Sequence, residues 1–223
     1  LLKGEDVHRY DNISTDRFVV FPYILGDGKA NLYAEKQLSE LFPLGYSYLK
    51  ECEDVLRGRE KGRLMNDEFW YRYIYPKNLV LFDNEKLVAP DISLGGNFAY
   101  DEKGEFYQTT TIYGYIKKAH ITESYKCLAA ILNSRLCWWF LVNTGTTLAN
   151  GYFRFKPDYI NPFPVPKEIS KTTEETIVTV VDKILEAKKA DPTADTTALE
   201  REIDAMVYTL YNLTPDEITI IEK

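Results

Sequence analysis

The chain has 223 residues, of which 45% are hydrophobic and 27% are charged, enough apolar material to build the core of a globular protein. Its net charge of −7 excludes a uniformly basic nucleic-acid-binding protein, while three cysteines and two histidines exclude a disulfide framework and a histidine-based zinc site. Since it also has no apolar run of about 18 residues, we expect a cytoplasmic protein that has no membrane partner and keeps its thiols reduced.

The first quarter of the chain predicts a strand, a turn and two helices. The β-branched and aromatic run RFVVFPYI, residues 17–24, predicts a strand, and Gly26 and Gly28 predict the turn that follows it. Residues 33–42 predict a short helix. Apolar residues at a spacing of three to four predict a second helix over about residues 46–59.

The next part of the chain predicts mainly β-structure. The aromatic segment 68–76 predicts a strand or a short helix, because its periodicity does not distinguish the two. A polar turn at residues 83–85 separates two predicted strand pieces. Residues 98–118 predict a hairpin with its turn at 101–104, and the alternation of its second strand predicts one buried and one exposed face.

Residues 124–166 form the most informative block of the sequence. An apolar helix, capped by Thr122 or Ser124, contains Asn-Ser-Arg and a tryptophan pair that we predict to lie in the core because it continues the apolar run. A loop of threonine, glycine and asparagine follows at residues 143–151, then a short aromatic and basic strand and a proline-rich exit. The pattern is typical of a surface that presents a loop.

The segment beyond residue 166 predicts an acidic helical hairpin and a further short helix. Each helix begins with a Thr-x-x-Glu capping box, at Thr172, Thr197 and Thr214. We therefore predict an α+β fold in two parts, a mixed-sheet target recognition domain at residues 1–166 and a helical tail or spacer at residues 167–223.

Charge is distributed unevenly along the chain. Residues 103–156 contain seven lysines and arginines against two acidic residues, and residues 57–77 contain six against three. Residues 171–223 contain six basic residues against twelve acidic ones. Because binding to phosphate depends on local charge, the two basic stretches favour a nucleic-acid partner and the tail does not.

Two groups of side chains are candidates for contacts with DNA. Cations in the basic stretches would bind phosphates or base edges: Arg57, Arg59, Lys61, Arg63, Lys117, Lys118, Arg154 and Lys156. Neutral polar side chains would read bases: Gln108, Thr110, Thr146, Thr147 and Asn150. The competing interpretations are a solvated charged loop for the first basic stretch and an ordinary helix-to-strand connection for the loop at 143–151.

Two catalytic patterns are incomplete. Pro90-Asp91 followed by Asp101-Glu-Lys103 resembles a metal-dependent nuclease motif, but Asp-Glu-Lys-Gly is also good turn chemistry. Asn161-Pro-Phe-Pro resembles the Asn-Pro-Pro-aromatic motif of amino-methyltransferases without its second proline, and no glycine-rich cofactor loop precedes it. We therefore expect no catalytic site, metal or cofactor within these residues.

Several segments together resemble the TaqI-like specificity domain, the target recognition domain of adenine-specific DNA methyltransferases and single-chain restriction-modification enzymes. The resemblance rests on SYKCLAAILNSRLCWWF, GYFRFKPDYI and NPFPVP, with LLKGEDVHRY at the start and LVAPDISLGGNFAYDEKGEFYQTTT in the centre. The close, LYNLTPDEITIIE, is similar to the end of many such enzymes. Recognition domains of type I specificity subunits share the same plan.

The resemblance implies a module that binds double-stranded DNA and selects the sequence to be modified. The methyltransferase domain, with S-adenosylmethionine as its cofactor, would lie upstream in a longer chain, and the absence of an initial Met leads us to expect such a chain. Whether the parent enzyme also acts as a restriction endonuclease stays open. So do two alternatives, a nuclease using Asp91 and Lys103, and a protein-interaction module acting through the acidic tail.

Overall fold

The computed structural model describes residues 1–63 and 67–223, and it confirms the α+β class. The chain divides into two compact units. The main unit comprises Leu1–Arg17 and Asn84–Lys223, and the inserted unit comprises Phe18–Asp83. Among the described residues, no helix is long and apolar enough to cross a membrane.

The described part of the inserted unit combines a hairpin with three α-helices. Its strands β1 (Tyr23–Gly26) and β2 (Lys29–Leu32) pair antiparallel, and the predicted turn between them is confirmed, because the two linking residues have positive φ angles of 50° and 69°. The helices follow in the order α1 (Glu35–Leu41), α2 (Pro43–Glu51) and α3 (Glu53–Arg57). Leu38, Leu49, Trp70 and Tyr71 form the core of the unit.

Three predictions for the inserted unit, two of strands and one of a strand or short helix, differ from the structure. The strand predicted at 17–24 begins only at Tyr23, because the two-residue turn at 27–28 sets a hairpin of four residues on each side. Phe18 lies outside this hairpin and is 92% exposed. The aromatic segment 68–76 forms turns that place Trp70 and Tyr71 in the core. A 3₁₀ helix, Leu79–Leu81, replaces the first strand piece predicted before the turn at 83–85.

The main unit contains a three-stranded sheet and a separate two-stranded one. The strands are β3 (Lys86–Pro90), β4 (Ile92–Ser93), β5 (Ala99–Asp101), β6 (Ile112–Tyr115) and β7 (Phe153–Arg154). The order β5-β3-β6 is antiparallel throughout, and β4 pairs antiparallel with β7. Leu2 adds a parallel bridge to Gln108. All five residues of β3 are buried, so this strand is covered on both faces.

The hairpin predicted at 98–118 is wrong, because β5 and β6 both pair with β3 and not with each other. The turn residue Asp101 explains the difference. Its carboxylate forms a buried ion pair with Lys86 at 2.6 Å and accepts hydrogen bonds from the backbone N–H groups of Glu105 and Phe106. The ion pair joins β5 to β3, and the chain returns as β6 on the other side of β3.

Six helices complete the described part of the main unit: α4 (Tyr125–Asn133), α5 (Arg135–Thr144), α6 (Pro157–Ile160), α7 (Lys171–Ala190), α8 (Thr197–Leu210) and α9 (Pro215–Ile221). The predicted cap of α4 is confirmed at Ser124 and that of α9 at Thr214. The predicted caps of α7 and α8 are displaced. Ser170 caps α7, and α8 follows Thr196, whose hydroxyl donates to Glu200.

The largest core of the main unit lies between α4–α5 and α7–α8. Cys127, Ile131 and Cys137 pack there against residues from both later helices, such as Ile184 and Val207. Burial raises the pKa of both cysteine thiols to about 12, which agrees with the prediction of buried thiols. The boundary predicted near residue 166 stays a prediction, but the helices beyond it share one core with the helices before it.

The prediction for the tryptophan pair is correct for one member. Trp138 packs edge-on against Phe153 at 5.3 Å and stacks on Phe155 at 6.2 Å. Trp139 is 36% exposed, because α5 turns this neighbouring position away from the sheet.

Replacement of the buried lysine tests the role of the ion pair in the fold. We expect Lys86→Met to lower the free energy of unfolding by about 3–5 kcal/mol, because it leaves the Asp101 carboxylate buried without its counter-charge. Chemical denaturation measures the loss. The exposed turn residue Lys103 provides the matched control Lys103→Met, which should change stability by less than about 0.5 kcal/mol. Equal effects of the two substitutions would contradict the assignment.

Candidate functional site

The junction of α4 and α5 is specified by the sequence Asn-Ser-Arg. Ser134 has extended φ and ψ angles of −65° and 156°, which end α4, and its hydroxyl accepts from the N–H of Cys137 at 3.2 Å, which starts α5. The Asn133 side chain accepts from the N–H of Phe98 at 2.8 Å and donates to the carbonyl of Phe98 at 2.9 Å. One buried amide therefore joins the end of α4 to the segment before β5.

The turn at residues 93–98 is held against this junction. A Cβ on Gly96 would lie 2.9 Å from the Cα of Asn133, so the close approach requires glycine. The Asn97 amide also donates to the Ser93 hydroxyl at 2.6 Å. The 93–98 turn thus has a fixed conformation directly after β4.

The pairing of β4 with β7 brings distant parts of the chain together. Ile92 pairs with Arg154, and the backbone N–H of Phe155 donates to the carbonyl of Asp91 at 2.7 Å. On the other side, the N–H of Asp91 donates to the carbonyl of Thr111 at 2.8 Å. We call residues 91–94 and 153–156 the β4–β7 edge.

The loop at residues 144–151 folds back onto this edge. Thr147 forms an antiparallel bridge with Phe153, and the Thr146 hydroxyl lies 2.9 Å from the hydroxyl of Tyr159. Asn150 and Gly151 have positive φ angles of 60° and 76°, which form a tight turn. The threonines and Asn150 are exposed, so an ordered loop presents hydroxyl and amide groups to solvent.

The cations of the edge are paired with nearby carboxylates. The guanidinium of Arg154 donates to Asp91 at 3.0 Å and remains 41% exposed. The ammonium of Lys156 lies 2.7 Å from the Asp158 carboxylate, which raises the pKa of Lys156. Both side chains therefore remain partly accessible to solvent.

Thr110 precedes the segment that contacts Asp91 and is exposed, whereas Gln108 turns inward. The Gln108 amide covers Gly114, where a Cβ would lie 2.4 Å from its nitrogen, and its carbonyl oxygen is buried. A base contact by Gln108 would require the side chain to move. Its role stays a prediction.

Lys117 and Lys118 lie at the other end of the three-stranded sheet. β6 starts opposite Pro90 and ends opposite Leu87, so both lysines leave the sheet away from Asp91. The ammonium of Lys117 donates to the carbonyl of Glu123 at 2.9 Å and lies 5.2 Å from the centre of the Tyr125 ring. Lys118 is exposed. These two lysines do not join the β4–β7 edge.

The basic loop of the inserted unit is partly structural. The guanidinium of Arg59 donates to the carbonyls of Trp70 and Arg72, both at 3.0 Å, and its desolvation lowers the pKa of Arg59. Arg57 is bound to Glu53 at 2.8 Å. Lys61 and Arg63 are exposed, with Arg63 3.5 Å from Glu60. Of the four predicted residues, Lys61 and Arg63 are the most accessible to a partner.

The structure gives the candidate nuclease residues other roles. Asp91 binds Arg154, and Asp101 binds Lys86, which ties each carboxylate to a cation of the fold. Lys103 is exposed on the turn after β5. In the described ranges, the side chains of His, Cys, Asp and Glu form no group of three that could hold a metal ion.

Two acidic caps that position α4 and α5 were not predicted from the sequence. Glu174 of α7 accepts from the N–H of Ser124 at 2.6 Å, and Asp204 of α8 accepts from the N–H of Arg135 at 2.8 Å. Each carboxylate lies at a helix N-terminus, where negative charge is favourable. The excess of acid in the tail was the available signal, but it does not indicate which helix each carboxylate meets.

Comparison with known proteins identifies a family and a curated relative. The family model described as the TaqI-like C-terminal specificity domain matches residues 1–165. The Type II methyltransferase M.XhoI of Xanthomonas vasicola is 28% identical over 160 residues, which cover 68% of this chain and 28% of that protein. The chain thus spans less than a third of the length of this curated relative.

Two substitutions of Asp204 distinguish the stability that comes from its hydrogen bond to the N-terminus of α5 from the stability that comes from its negative charge. We expect Asp204→Ala to lower stability by about 1–2 kcal/mol, the usual cost of a lost helix cap, while Asp204→Asn keeps an acceptor and most of the stability. Denaturation measured beside the exposed α8 control Glu202→Ala tests this. Similar losses for Asp204→Ala and Glu202→Ala would contradict a capping role.

The free energies of unfolding of wild type and of Asp204→Asn should depend differently on pH. Desolvation is the main reason that the pKa of Asp204 is raised in the folded protein. Folding therefore favours the protonated acid, so the contribution of this group is greatest below its unfolded pKa of about 3.9 and declines as the pH rises through the folded value. We expect wild type to lose stability relative to Asp204→Asn as the pH rises above about 4. The opposite slope would contradict this assignment.

Proposed function

The chain belongs to the family of TaqI-like C-terminal specificity domains, and on that premise we propose that it recognises a double-stranded DNA sequence for a methyltransferase. We further propose that the enzyme transfers a methyl group to adenine N6 in a restriction-modification system of the cytoplasm. The catalytic domain, with its S-adenosylmethionine, would then lie upstream in the same polypeptide. Methyl transfer, and any cleavage of DNA, would reside outside these residues.

The observation that supports this proposal best is the composition of the β4–β7 edge and its loop. Arg154 and Lys156 supply cations, while Thr146, Thr147 and Asn150 supply hydroxyl and amide groups, all on one ordered connection. Cationic and small polar side chains of this kind bind phosphates and set the register of a protein on the duplex. Amide and hydroxyl side chains discriminate among base edges in the major groove.

Arg154 is the main candidate for a base contact. A guanidinium can donate two hydrogen bonds to the O6 and N7 atoms of guanine, and Asp91 already fixes its orientation at the edge. Lys156, farther along the chain and paired with the 70%-exposed Asp158, suits a phosphate contact. The proposed division of labour therefore assigns sequence discrimination to Arg154 and affinity to Lys156.

The acidic tail does not oppose this assignment, because several of its carboxylates are engaged inside the main unit. Asp182 pairs with Lys126 at 2.6 Å and Glu200 with Arg9 at 2.7 Å, besides the caps formed by Glu174 and Asp204. The total charge of −7 therefore does not describe the field at the edge, where the cations Arg154 and Lys156 lie beside Asp91 and Asp158. Lys61 and Arg63 of the inserted unit are additional proposed phosphate contacts.

The two alternative functions receive less support. A nuclease centre would need Asp91 and Asp101 to share a metal, yet each is bound to a different cation. An interaction module acting through the acidic tail receives less support because Glu174, Asp182, Glu200 and Asp204 of the tail are engaged in contacts within the main unit. We therefore retain DNA recognition as the proposed function.

A salt-dependent titration with duplex DNA tests the proposal. A duplex selected by the 223-residue chain from a random pool should bind better than its scrambled form, and affinity should fall as salt rises. We expect Arg154→Ala to weaken binding to the selected duplex about tenfold or more, and Lys156→Ala to weaken both duplexes and reduce the salt slope by about one.

The exposed lysine of α7 provides the matched control, because Lys183→Ala removes the same charge at a distance from the edge. It should leave affinity and salt slope unchanged. If the wild-type chain binds selected and scrambled duplexes equally, or binds neither at low salt, the proposed function is wrong.

A further inference from the structure

Two large aliphatic side chains are exposed on the β4–β7 edge. Ile92 is 43% exposed and Leu94 is 56% exposed, while Ser93 between them is buried. Alternation along an extended chain places Ile92 and Leu94 on the same side. The edge therefore presents an apolar pair to solvent.

This exposure is built into the fold. Leu94 begins the connection that Gly96 packs against Asn133 and that the Asn97 amide ties to Ser93. The buried hydrogen bonds between Asn133 and Phe98 close the same turn. A side chain on such a turn pays little additional entropy when it meets a ligand, since its backbone is already ordered.

The apolar pair lies among the polar groups of the proposed DNA-binding surface. Ile92 is the cross-strand partner of Arg154. The Cδ2 atom of Leu94 is 4.0 Å from the position of a Cβ built on Gly151, next to Asn150. A cation and an amide-bearing turn thus flank the aliphatic groups on the side of β7.

We infer that Leu94, supported by Ile92, reads thymine by contact with its 5-methyl group in the major groove. This inference rests on the proposed function. The methyl group of thymine is the apolar feature that a base pair presents in that groove, and it lies beside the hydrogen-bonding atoms that arginine and asparagine recognise. In the protein, the aliphatic side chain lies beside the hydrogen-bonding groups of Arg154 and Asn150. This arrangement matches a base-pair edge on which the thymine methyl group lies beside hydrogen-bonding atoms.

Replacement of thymine by uracil isolates the methyl group without changing any hydrogen bond. In the duplex selected by the wild-type chain, each thymine is exchanged in turn for deoxyuridine, and affinity is measured by titration. We expect one or two positions at which wild type loses about fourfold, the equivalent of about 0.8 kcal/mol for one buried methyl group. Leu94→Ala should bind the thymine duplex less tightly and show no further loss with uracil at those positions.

The exposed leucine of the inserted unit supplies the control, because Leu44 is 87% exposed and Leu44→Ala removes the same atoms elsewhere. This variant should keep the full response to uracil. Thermal unfolding checks that both variants fold, and truncation of an exposed side chain should leave the midpoint nearly unchanged.

The outcomes separate the two proposals. If no duplex is selected over its scrambled form, the proposed function fails and this inference fails with it. If selection succeeds but the sequence has no thymine, or Leu94→Ala responds to uracil as wild type does, the reading of thymine is overturned while recognition stands. Equal weakening of thymine and uracil duplexes by Leu94→Ala also overturns it.

Discussion

The architecture of the main unit depends on the contact between the Asn133 amide and the backbone of Phe98. It satisfies two buried backbone groups, ends α4 next to a serine that begins α5, and brings Gly96 against the helix. The helix pair, the 93–98 turn and the loop after α5 take their positions from this one junction. An apolar residue at position 133 would leave both Phe98 groups unsatisfied in the interior, which is costly. A recognition surface assembled from separate segments requires such a fixed reference.

Charge has a structural role in this molecule as well as a proposed functional one. The acidic helices α7 and α8 supply carboxylates to the N-termini of α4 and α5, where helix dipoles favour negative charge. Lys86 and Asp101 neutralise each other in the core. Because so many carboxylates act inside the fold, the total charge of the chain says little about the sign of the proposed binding surface.

Local patterns in the sequence predicted most of the helices, the cap at Ser124 and the turn at 27–28, since each depends on residues near in the chain. They did not predict the break at Ser134, where the sequence favoured one continuous apolar helix, or the break at Cys52 within the helix predicted at 46–59. The strand pairing was not predictable in the same way. Asp101 is a good turn residue, so the sequence favoured a hairpin of β5 and β6. Its buried ion pair with Lys86 on β3 shows that β5 pairs with β3 instead. The same limit applies to the site. The sequence indicated Arg154 and Asn150 by their chemistry, but the pairing of β4 with β7 was needed to place Leu94 and Ile92 beside them.

The long-range pairing of the main unit has a consequence for folding during synthesis. Ser93 cannot pair until Phe153 has been synthesised. The apolar face of α4 stays uncovered until Ile184 of α7 and Val207 of α8 have been synthesised. Contacts of such high sequence separation form slowly and leave apolar surface uncovered in the meantime. The inserted unit has its own core and closes over short chain distances. During synthesis on the ribosome, the inserted unit therefore completes its fold before the main unit does.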